Sequence, residues 1–264
     1  MATISLREHH RLYQGFFQEL CPESDNAIDI YYDQAVMDAD SHNAKTQVAM
    51  LLEPRSMIAD AYLFLESHPD NFRYIFTHDS RLLRLPNAFE VNWANVWLTT
   101  DSEKNKGISI CTSTKNWCYL HDARLKIAQY YYNRPEVDVF FGDWNTKPIE
   151  AKDYLEHYKF SIVIENDIDD FWYTEKILNC FATKTVPIYV GARKIGERFN
   201  ADGIIQLQNW HCIYNLIENL NLDKNYEYRK EAIEENFYRC VPYKISWKDR
   251  FIHDYGSLLE EMML

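Results

Sequence analysis

The chain has 264 residues, of which 47% are hydrophobic, enough for one large domain or two small ones. Its formal net charge of −12 argues against general binding of nucleic acids or of anionic membrane surfaces. The N-terminal segment has no basic-then-apolar signal pattern, and no run of 18 apolar residues occurs, so we expect no membrane anchor.

The first half of the chain is predicted to alternate short strands with helices. Strands are expected at 27–32, 47–52 and 72–76, with a helix at 56–67 and a helical turn at 80–84. The polar run 99–107, TTDSEKNKG, is the predicted domain boundary. It would separate an N-terminal lobe, residues 1–104, from a C-terminal lobe, residues 105–240.

The second half alternates more regularly. Strands are expected at 108–112, 137–141, from 160, at 186–190 and at 204–207, and helices at 121–132, 149–158, from 174, at 210–219 and at 226–238. The segment 241–264 contains a last helix that begins at the N-cap Ser246. It places one apolar face on Phe251, Tyr255, Leu258, Leu259 and Met262. We expect this helix to pack against the body of the protein, with a dimerisation helix as the alternative.

The six cysteines are Cys21, Cys111, Cys118, Cys180, Cys212 and Cys240. None of them forms a Cys-x-x-Cys pair. We therefore predict reduced, mostly buried thiols, no structural zinc and a cytoplasmic protein.

The segment 160–190 is the most informative part of the sequence. A strand, FSIVIEN, leads through a polar loop to a helix that begins at Thr174 with Glu175 and Lys176 in its first turn, and a second apolar strand follows. Ligands of parallel α/β sheets bind where strands end and helices begin. There Glu175 can accept hydrogen bonds from a ribose diol and Lys176 can meet a phosphate. The alternative is a surface helix with a capping carboxylate and a solvated lysine.

This segment resembles the donor-binding region of the family 10 glycosyltransferases, the α-1,3/1,4-fucosyltransferases, of the soluble bacterial or viral type. The family has a Phe-x-x-x-Phe-Glu-Asn strand, a Tyr-Val-Thr-Glu-Lys helix start and a Val/Ile-Pro-Ile/Val-Tyr-x-Gly strand. The matching positions are Phe160, Glu165, Asn166, Thr174, Glu175, Lys176, Val186, Pro187, Ile188, Tyr189 and Gly191. Ile164 replaces the second aromatic residue of the strand. Trp172 and Tyr173 replace the Tyr-Val pair, so the aromatic contact to the nucleotide is expected to be rearranged.

A second region of resemblance is 108–124, ISICTSTKNWCYLHDAR. In the family, an arginine in the first turn of the helix after this strand touches the donor diphosphate, which implies that role for Arg124. Its neighbours Lys115 and His121 could add charge or hydrogen bonds at the same strand end. His121 is interpreted as a capping or core residue.

A third, shorter region is 47–55, QVAMLLEPR, where an apolar strand ends at Glu53. The family has a Gly-Glu-Asn/Pro-type string here whose Glu is the general base, so the resemblance implies this role for Glu53. The alternative is a solvated Glu at a strand end. His78 and Asp79 lie in a further string, FRYIFTHDSRLLRLPNAF, and are candidates for acceptor contacts.

The string Asp167-Ile168-Asp169, followed by Asp170, matches the Asp-x-Asp pattern with which metal-dependent glycosyltransferases hold a divalent ion. The neighbouring Thr-Glu-Lys match accounts for the region without a metal, so the sequence does not require one. A solvated loop is the preferred interpretation.

The resemblance implies an α/β protein with two Rossmann-like lobes of the GT-B-like glycosyltransferase type, an N-terminal acceptor lobe and a C-terminal donor lobe. It further implies an inverting glycosyltransferase that uses GDP-fucose as donor, a glycan as acceptor and no tightly bound cofactor. The alternatives are a related transferase that uses another nucleotide sugar, and an inactive glycan- or nucleotide-binding protein on the same scaffold.

Overall fold

The computed structural model of the protein describes residues 5–7, 28–39, 46–142 and 149–263. The chain forms two compact units. The first contains Met1–Trp93 together with Ser246–Leu264, and the second is the continuous segment Ala94–Ile245.

The first unit contains a parallel sheet of five strands that lie side by side in chain order. The strands are β1 (Ser5–Arg7), β2 (Ile28–Tyr32), β3 (Thr46–Met50), β4 (Tyr74–Thr77) and β5 (Ala88–Glu90). Because each strand follows its neighbour in one direction, right-handed connections bring the intervening chain to one face of the sheet. Helix α1 (Ala59–Ser67) packs on that face.

Alternate residues of these strands serve two separate hydrophobic clusters, as strand geometry requires. Tyr31 and Ala49 belong to the cluster that contains α1, whereas Ile30 and Val48 belong to a cluster on the other face. The last helix, α7 (Trp247–Met263), closes this second cluster with the buried side chain of Phe251.

Ser246 caps α7, as predicted: its hydroxyl accepts the N–H of Asp249 at 3.2 Å and donates to the Asp249 carboxylate at 2.7 Å. Tyr255 and Leu258 pack beside Phe251, so the helix covers its own unit. The side chains of Leu259 and Met262 lie outside the described part of the chain.

The second unit contains a parallel sheet in the spatial order β10-β9-β8-β6-β7. Its strands are β6 (Lys106–Ser113), β7 (Val137–Gly142), β8 (Tyr158–Ile164), β9 (Val186–Val190) and β10 (Ile205–Gln206). The helices are α2 (Tyr119–Tyr131), α3 (Ala151–Leu155), α4 (Glu175–Ala182), α5 (Cys212–Asn219) and α6 (Leu222–Arg239). All strands of both sheets pair in parallel, so the predicted α/β class is confirmed.

The division of the chain falls after Trp93, earlier than the boundary predicted after residue 104. The polar run is not a linker because its side chains bind to the second unit. The Lys104 ammonium donates to the carbonyl oxygens of Leu155 and Glu156, each at 2.9 Å. The predicted separate segment 241–264 is also divided, since the first unit resumes at Ser246.

Further elements of the structure differ from the predictions. The helix expected at 149–158 ends at Leu155, and Tyr158 begins β8, which agrees with the strong strand preference of Tyr. The three-residue strands β1 and β5 were not predicted. Helix α6 begins at Leu222, before the predicted start at 226, because the Asn221 side chain caps it by accepting the N–H of Lys224.

Cys111, Cys118, Cys180, Cys212 and Cys240 are free thiols. Cys21 lies outside the described residues. In the part of the chain that the structure describes, no helix has both the length and the apolar character needed to cross a membrane.

Candidate active site

The second sheet reverses its direction of winding between β6 and β8. From β6 the chain continues to β7 on one side, and it then returns to β8 on the other side of β6. Ligands of open parallel sheets bind at such a switch point, beyond the carboxyl ends of the two strands. Arg124 follows β6 in the chain, and Asn166 and Lys176 follow β8.

A cavity of about 460 Å³ lies in this unit, within the size range of small-ligand sites. Three predicted donor-binding residues, Arg124, Glu175 and Lys176, line it. Apolar side chains such as Ile162 and Ile164 line it as well, which keeps the local dielectric constant low and strengthens the interactions of any charge bound there.

Arg124 and Asn166, both predicted donor-binding residues, are in contact with each other. The Nη2 group of Arg124 donates to Oδ1 of Asn166 at 2.6 Å. The Nε group of Arg124 is buried and makes no hydrogen bond with the described residues. Burial lowers the pKa of Arg124, and the nearby carboxylate of Glu165 opposes this effect. The side chain therefore presents a buried cation with a donor still to be satisfied.

His121 is buried and its side chain binds the backbone at the start of α2, in agreement with its interpretation as a capping or core residue, and it also makes a hydrogen bond beside Arg124. Its Nδ1 atom accepts the N–H of Trp117 at 3.2 Å, so the proton of the neutral ring lies on Nε2, which donates to Asn166 Oδ1 at 3.0 Å. Burial, assisted by the charge of Arg124, lowers the pKa of His121 to about 4. The position of His121 one helical turn before Arg124 was the available signal.

The side chain of Glu165 links the end of β8 to the start of α4 across the loop between them. The carboxylate is fully buried and accepts the N–H of Thr174 at 2.9 Å and its hydroxyl at 2.8 Å. Thr174 is the N-cap of α4 and also accepts the N–H of Lys176 at 3.3 Å. These contacts fix the helix start that carries Glu175 and Lys176.

The ammonium group of Lys176 lies among three oxygen atoms. It is 3.0 Å from Thr174 Oγ1, 3.4 Å from Glu165 Oε2 and 3.5 Å from Glu175 Oε1. Burial favours the neutral amine, but the two carboxylates outweigh it and raise the pKa of Lys176. Lys176 is therefore a cation at physiological pH.

Gly191 ends the Val-Pro-Ile-Tyr-x-Gly string and lies close to the side chain of Glu165. A Cβ atom at this position would lie 2.6 Å from Cγ of Glu165 and would also overlap the ring of Tyr189. Tyr189 in turn accepts the N–H of Ala192 at 3.0 Å. Only glycine allows the chain to pass this close to the buried carboxylate.

Trp172 and Tyr173 are buried, unlike side chains poised to contact a nucleotide. The Tyr173 hydroxyl lies 2.5 Å from that of Tyr243, and its ring packs edge-on against Phe199 in the core. Lys115 is exposed, holds its ammonium 4.8 Å from the centre of the Trp117 ring and does not line the cavity.

In the first unit, Glu53 follows β3 and its main chain is fixed on both sides. Its N–H donates to the buried carboxylate of Asp33 at 3.0 Å, and its carbonyl oxygen accepts the hydroxyl of Tyr62 at 2.8 Å. Asp33 has a φ of 48°, a conformation rare for a residue with a side chain. The half-buried carboxylate of Glu53 makes no hydrogen bond or ion pair among the described residues.

His78 and Asp79 are internal residues, which does not favour direct contact with an acceptor. His78 is buried, its Nε2 lies 3.2 Å from the Tyr62 hydroxyl, and burial lowers its pKa to about 3. Asp79 forms a two-point ion pair with Arg55, at 2.9 and 3.0 Å. Both residues thus organise the segment around Glu53 and Arg55.

The side chains of the Asp-x-Asp string accept backbone N–H groups of their own loop. Asp167 accepts the N–H of the next residue at 2.8 Å, and Asp169 accepts the N–H two residues later at 3.2 Å. Asp170 pairs with Arg193 at 2.7 Å. Within the described residues, no group of three or more His, Cys, Asp or Glu side chains is arranged to hold a metal ion.

Replacing Asp169 with Asn tests the metal alternative. Because the amide oxygen can still accept the N–H of Phe171, we expect transfer activity and its response to added divalent metal to stay nearly unchanged. Activity assays with and without a chelator measure both. A large loss of activity that added metal partly restores would support the metal site instead.

The chain is similar in sequence to known proteins. Residues 102–239 match the sequence profile described as "Glycosyltransferase family 10 (fucosyltransferase) C-term". The "Alpha-(1,3)-fucosyltransferase FucT" of Helicobacter pylori is 29% identical over 86 residues, which are 33% of this chain and 17% of that protein. The chain thus matches about a sixth of the length of this curated relative.

Two solved structures share the fold. The crystal structure of an alpha1,3-fucosyltransferase superposes with a TM-score of 0.55 at 15% identity, over 88% of this chain and 78% of the other. A structure described as alpha1,3-fucosyltransferase with GDP gives 0.54 at 13% identity, over 88% and 77%. The fold is therefore of the GT-B type, and with the profile covering more than half of its residues, the chain belongs to glycosyltransferase family 10, a family of fucosyltransferases.

Proposed function

We propose that the chain is an inverting glycosyltransferase that transfers fucose from GDP-fucose to a hydroxyl group of a glycan. The observation that carries the proposal is Arg124, whose buried Nε group has no hydrogen-bond partner among the described residues. Arg124 lines the same cavity as Lys176. The diphosphate of a nucleotide sugar would supply the missing acceptor, and charge-assisted bonds to phosphate are the strongest that a guanidinium makes.

Lys176 supports the same assignment. Its contacts at 3.0–3.5 Å are longer than the usual 2.7–2.9 Å of charge-assisted hydrogen bonds, so the ammonium can turn towards a phosphate without losing short bonds. It also lies in the first turn of α4, where the helix dipole favours anions. In this proposal Glu175 holds the ribose hydroxyls, while Asn166 positions Arg124.

Glu53 is the proposed general base. It would take the proton from an acceptor hydroxyl while that oxygen forms a bond to the anomeric carbon. The bond from that carbon to the diphosphate breaks on the opposite face of the sugar, and GDP leaves with its bonding electrons. Arg124 and Lys176 would stabilise the negative charge that develops on GDP. The fixed main chain around Glu53 supports this role, because a base must be held in position.

The proposal that the donor carries guanine as its base and fucose as its sugar is supported by membership of the family. A related nucleotide-sugar donor and an inactive binding protein on the same scaffold are the alternatives. The glycan acceptor, the absence of a metal requirement and the cytoplasmic location stay predictions.

GDP and GDP-fucose are expected to stabilise the folded protein, while UDP- and dTDP-sugars do so much less. At a ligand concentration about 100 times the dissociation constant, binding adds roughly 2.7 kcal/mol to the free energy of unfolding. This corresponds to a rise of roughly 5–10 °C in Tm. A thermal-shift screen over GDP-, UDP-, CMP- and dTDP-sugars measures it. A clear shift with UDP-sugars and none with GDP would refute the fucose assignment.

The same screen followed by a product assay separates an enzyme from a binding protein. GDP release that depends on an added glycan supports transfer, whereas donor binding without such release supports the inactive alternative.

A further inference from the structure

Trp97 is an exposed tryptophan on the wall of the candidate donor cavity. Its side chain is 59% exposed, although burying a large aromatic ring is normally favourable. Tyr154 also lines the cavity, but its ring packs against the core of the unit and against Phe140 at 6.2 Å. Among the described residues, the hydrophobic core of this unit does not include Trp97. Trp97 therefore lines the cavity as an exposed residue outside that core.

The backbone of Trp97 is fixed by Asn179 of helix α4. The Oδ1 atom of Asn179 accepts the N–H of Trp97 at 2.8 Å and the N–H of Leu98 at 3.3 Å. Asn179 is fully buried, and its Nδ2 group makes no hydrogen bond with the described residues. A buried polar group without a hydrogen bond is unfavourable, so the side-chain oxygen of Asn179 holds the backbone of Trp97 while its amide nitrogen remains unsatisfied within the described residues.

Helix α4 carries Asn179 one turn beyond Glu175, the residue proposed to bind the ribose. Asn179 lies four residues after Glu175, one turn and about 6 Å along the same face of the helix. In the proposed function Lys176 and Arg124 bind the phosphates and Glu175 binds the ribose. The base of a nucleotide is attached directly to the ribose, and Trp97, which Asn179 holds one turn from Glu175, lines the same cavity.

We infer that Trp97 stacks on the nucleobase of the bound donor and thereby contributes to nucleotide recognition. The inference rests on the proposed function, because it takes the positions of the phosphates and the ribose from it. Stacking requires only a flat π surface, so Trp97 contributes affinity for the base, and the choice between bases is left to other groups.

Calorimetric titration of the Trp97→Ala variant with GDP and with inorganic pyrophosphate tests the inference. We expect the affinity for GDP to fall ~10-fold or more, the scale of losing one base–aromatic stack. The affinity for pyrophosphate, which contacts only the phosphate site, should not change. Tyr228→Ala is the matched control, since Tyr228 is 73% exposed on α6 and does not line the cavity. It should alter neither affinity.

The Trp97→Phe variant supplies a readout that a purely structural role would not affect. A phenyl ring can still stack, so this variant should retain much of the GDP affinity, while the part of the tryptophan fluorescence that GDP quenches in the native chain should be lost. Unchanged GDP affinity in Trp97→Ala, or equal losses for GDP and pyrophosphate, would overturn the inference. So would a loss confined to GDP-fucose, which would place the sugar on Trp97. If the native chain binds pyrophosphate and binds no nucleotide more tightly than pyrophosphate, the stacking alone is refuted. If the native chain binds none of these ligands, the proposed function is refuted as well.

Discussion

Replacing Glu53 with Gln is expected to lower the rate of fucose transfer ~100-fold or more, the scale of losing a general base. The amide has nearly the same shape as the carboxylate but cannot accept the proton. The main-chain contacts of Glu53 to Asp33 and Tyr62 involve only its backbone, so the substitution leaves them in place. Single-turnover rates at saturating donor measure the effect, and the dissociation constant of GDP should not change.

Asp60→Asn is the matched control for this experiment. Asp60 is an exposed acid in the first turn of α1, in the same unit, and its conversion to an amide should not affect the rate. A rate for Glu53→Gln equal to that of the native chain, measured with a verified acceptor, would remove Glu53 from the mechanism.

Removing Arg124 or Lys176 is expected to weaken donor binding by about 1.5–3 kcal/mol each, the value of a hydrogen bond to a charged group. The Arg124→Ala variant should not unfold more easily in the absence of ligand, because the native side chain is a buried cation with an unsatisfied Nε. Asn166 would keep its hydrogen bond from His121. Without ligand, the Arg124→Ala variant should thus have the Tm of the native chain, whereas GDP should raise its Tm by less than it raises that of the native chain.

Lys126→Ala controls for the loss of a positive charge on the same helix. The Lys126 side chain is 55% exposed and forms its one ion pair among the described residues with Asp122, so we expect no change in GDP affinity. If Arg124→Ala and Lys176→Ala both bind GDP as tightly as Lys126→Ala does, the phosphate site has been assigned wrongly.

The strands and the start of α4 in the second unit could be predicted from the sequence because the signals there are local. Apolar runs predicted β8 and β9, and Thr174 followed by two charged residues predicted the start of α4. The meeting of Arg124 with Asn166 follows from parallel strands, whose carboxyl ends lie at one edge of the sheet.

The orientation of side chains in irregular segments could not be predicted in this way. Trp172 and Tyr173 occupy a loop without a repeating pattern, so nothing in the sequence indicated that both rings are buried. The place of Trp97 beside the cavity could not be predicted for the same reason, since its position depends on Asn179, a residue 82 positions later. The polar run containing Lys104 resembled a linker, and only its tertiary hydrogen bonds show otherwise.

The return of α7 to the first sheet has a consequence for folding during synthesis. One face of that sheet, which includes Ile30 and Phe76, is completed by Phe251. At ~5–20 residues per second, the ribosome adds Phe251 roughly 10–30 s after β5. During this interval the second unit, which is continuous in the chain, can form its core, whereas the first exposes an apolar surface of the kind that chaperones bind. The unit translated first is thus the one whose folding is completed last.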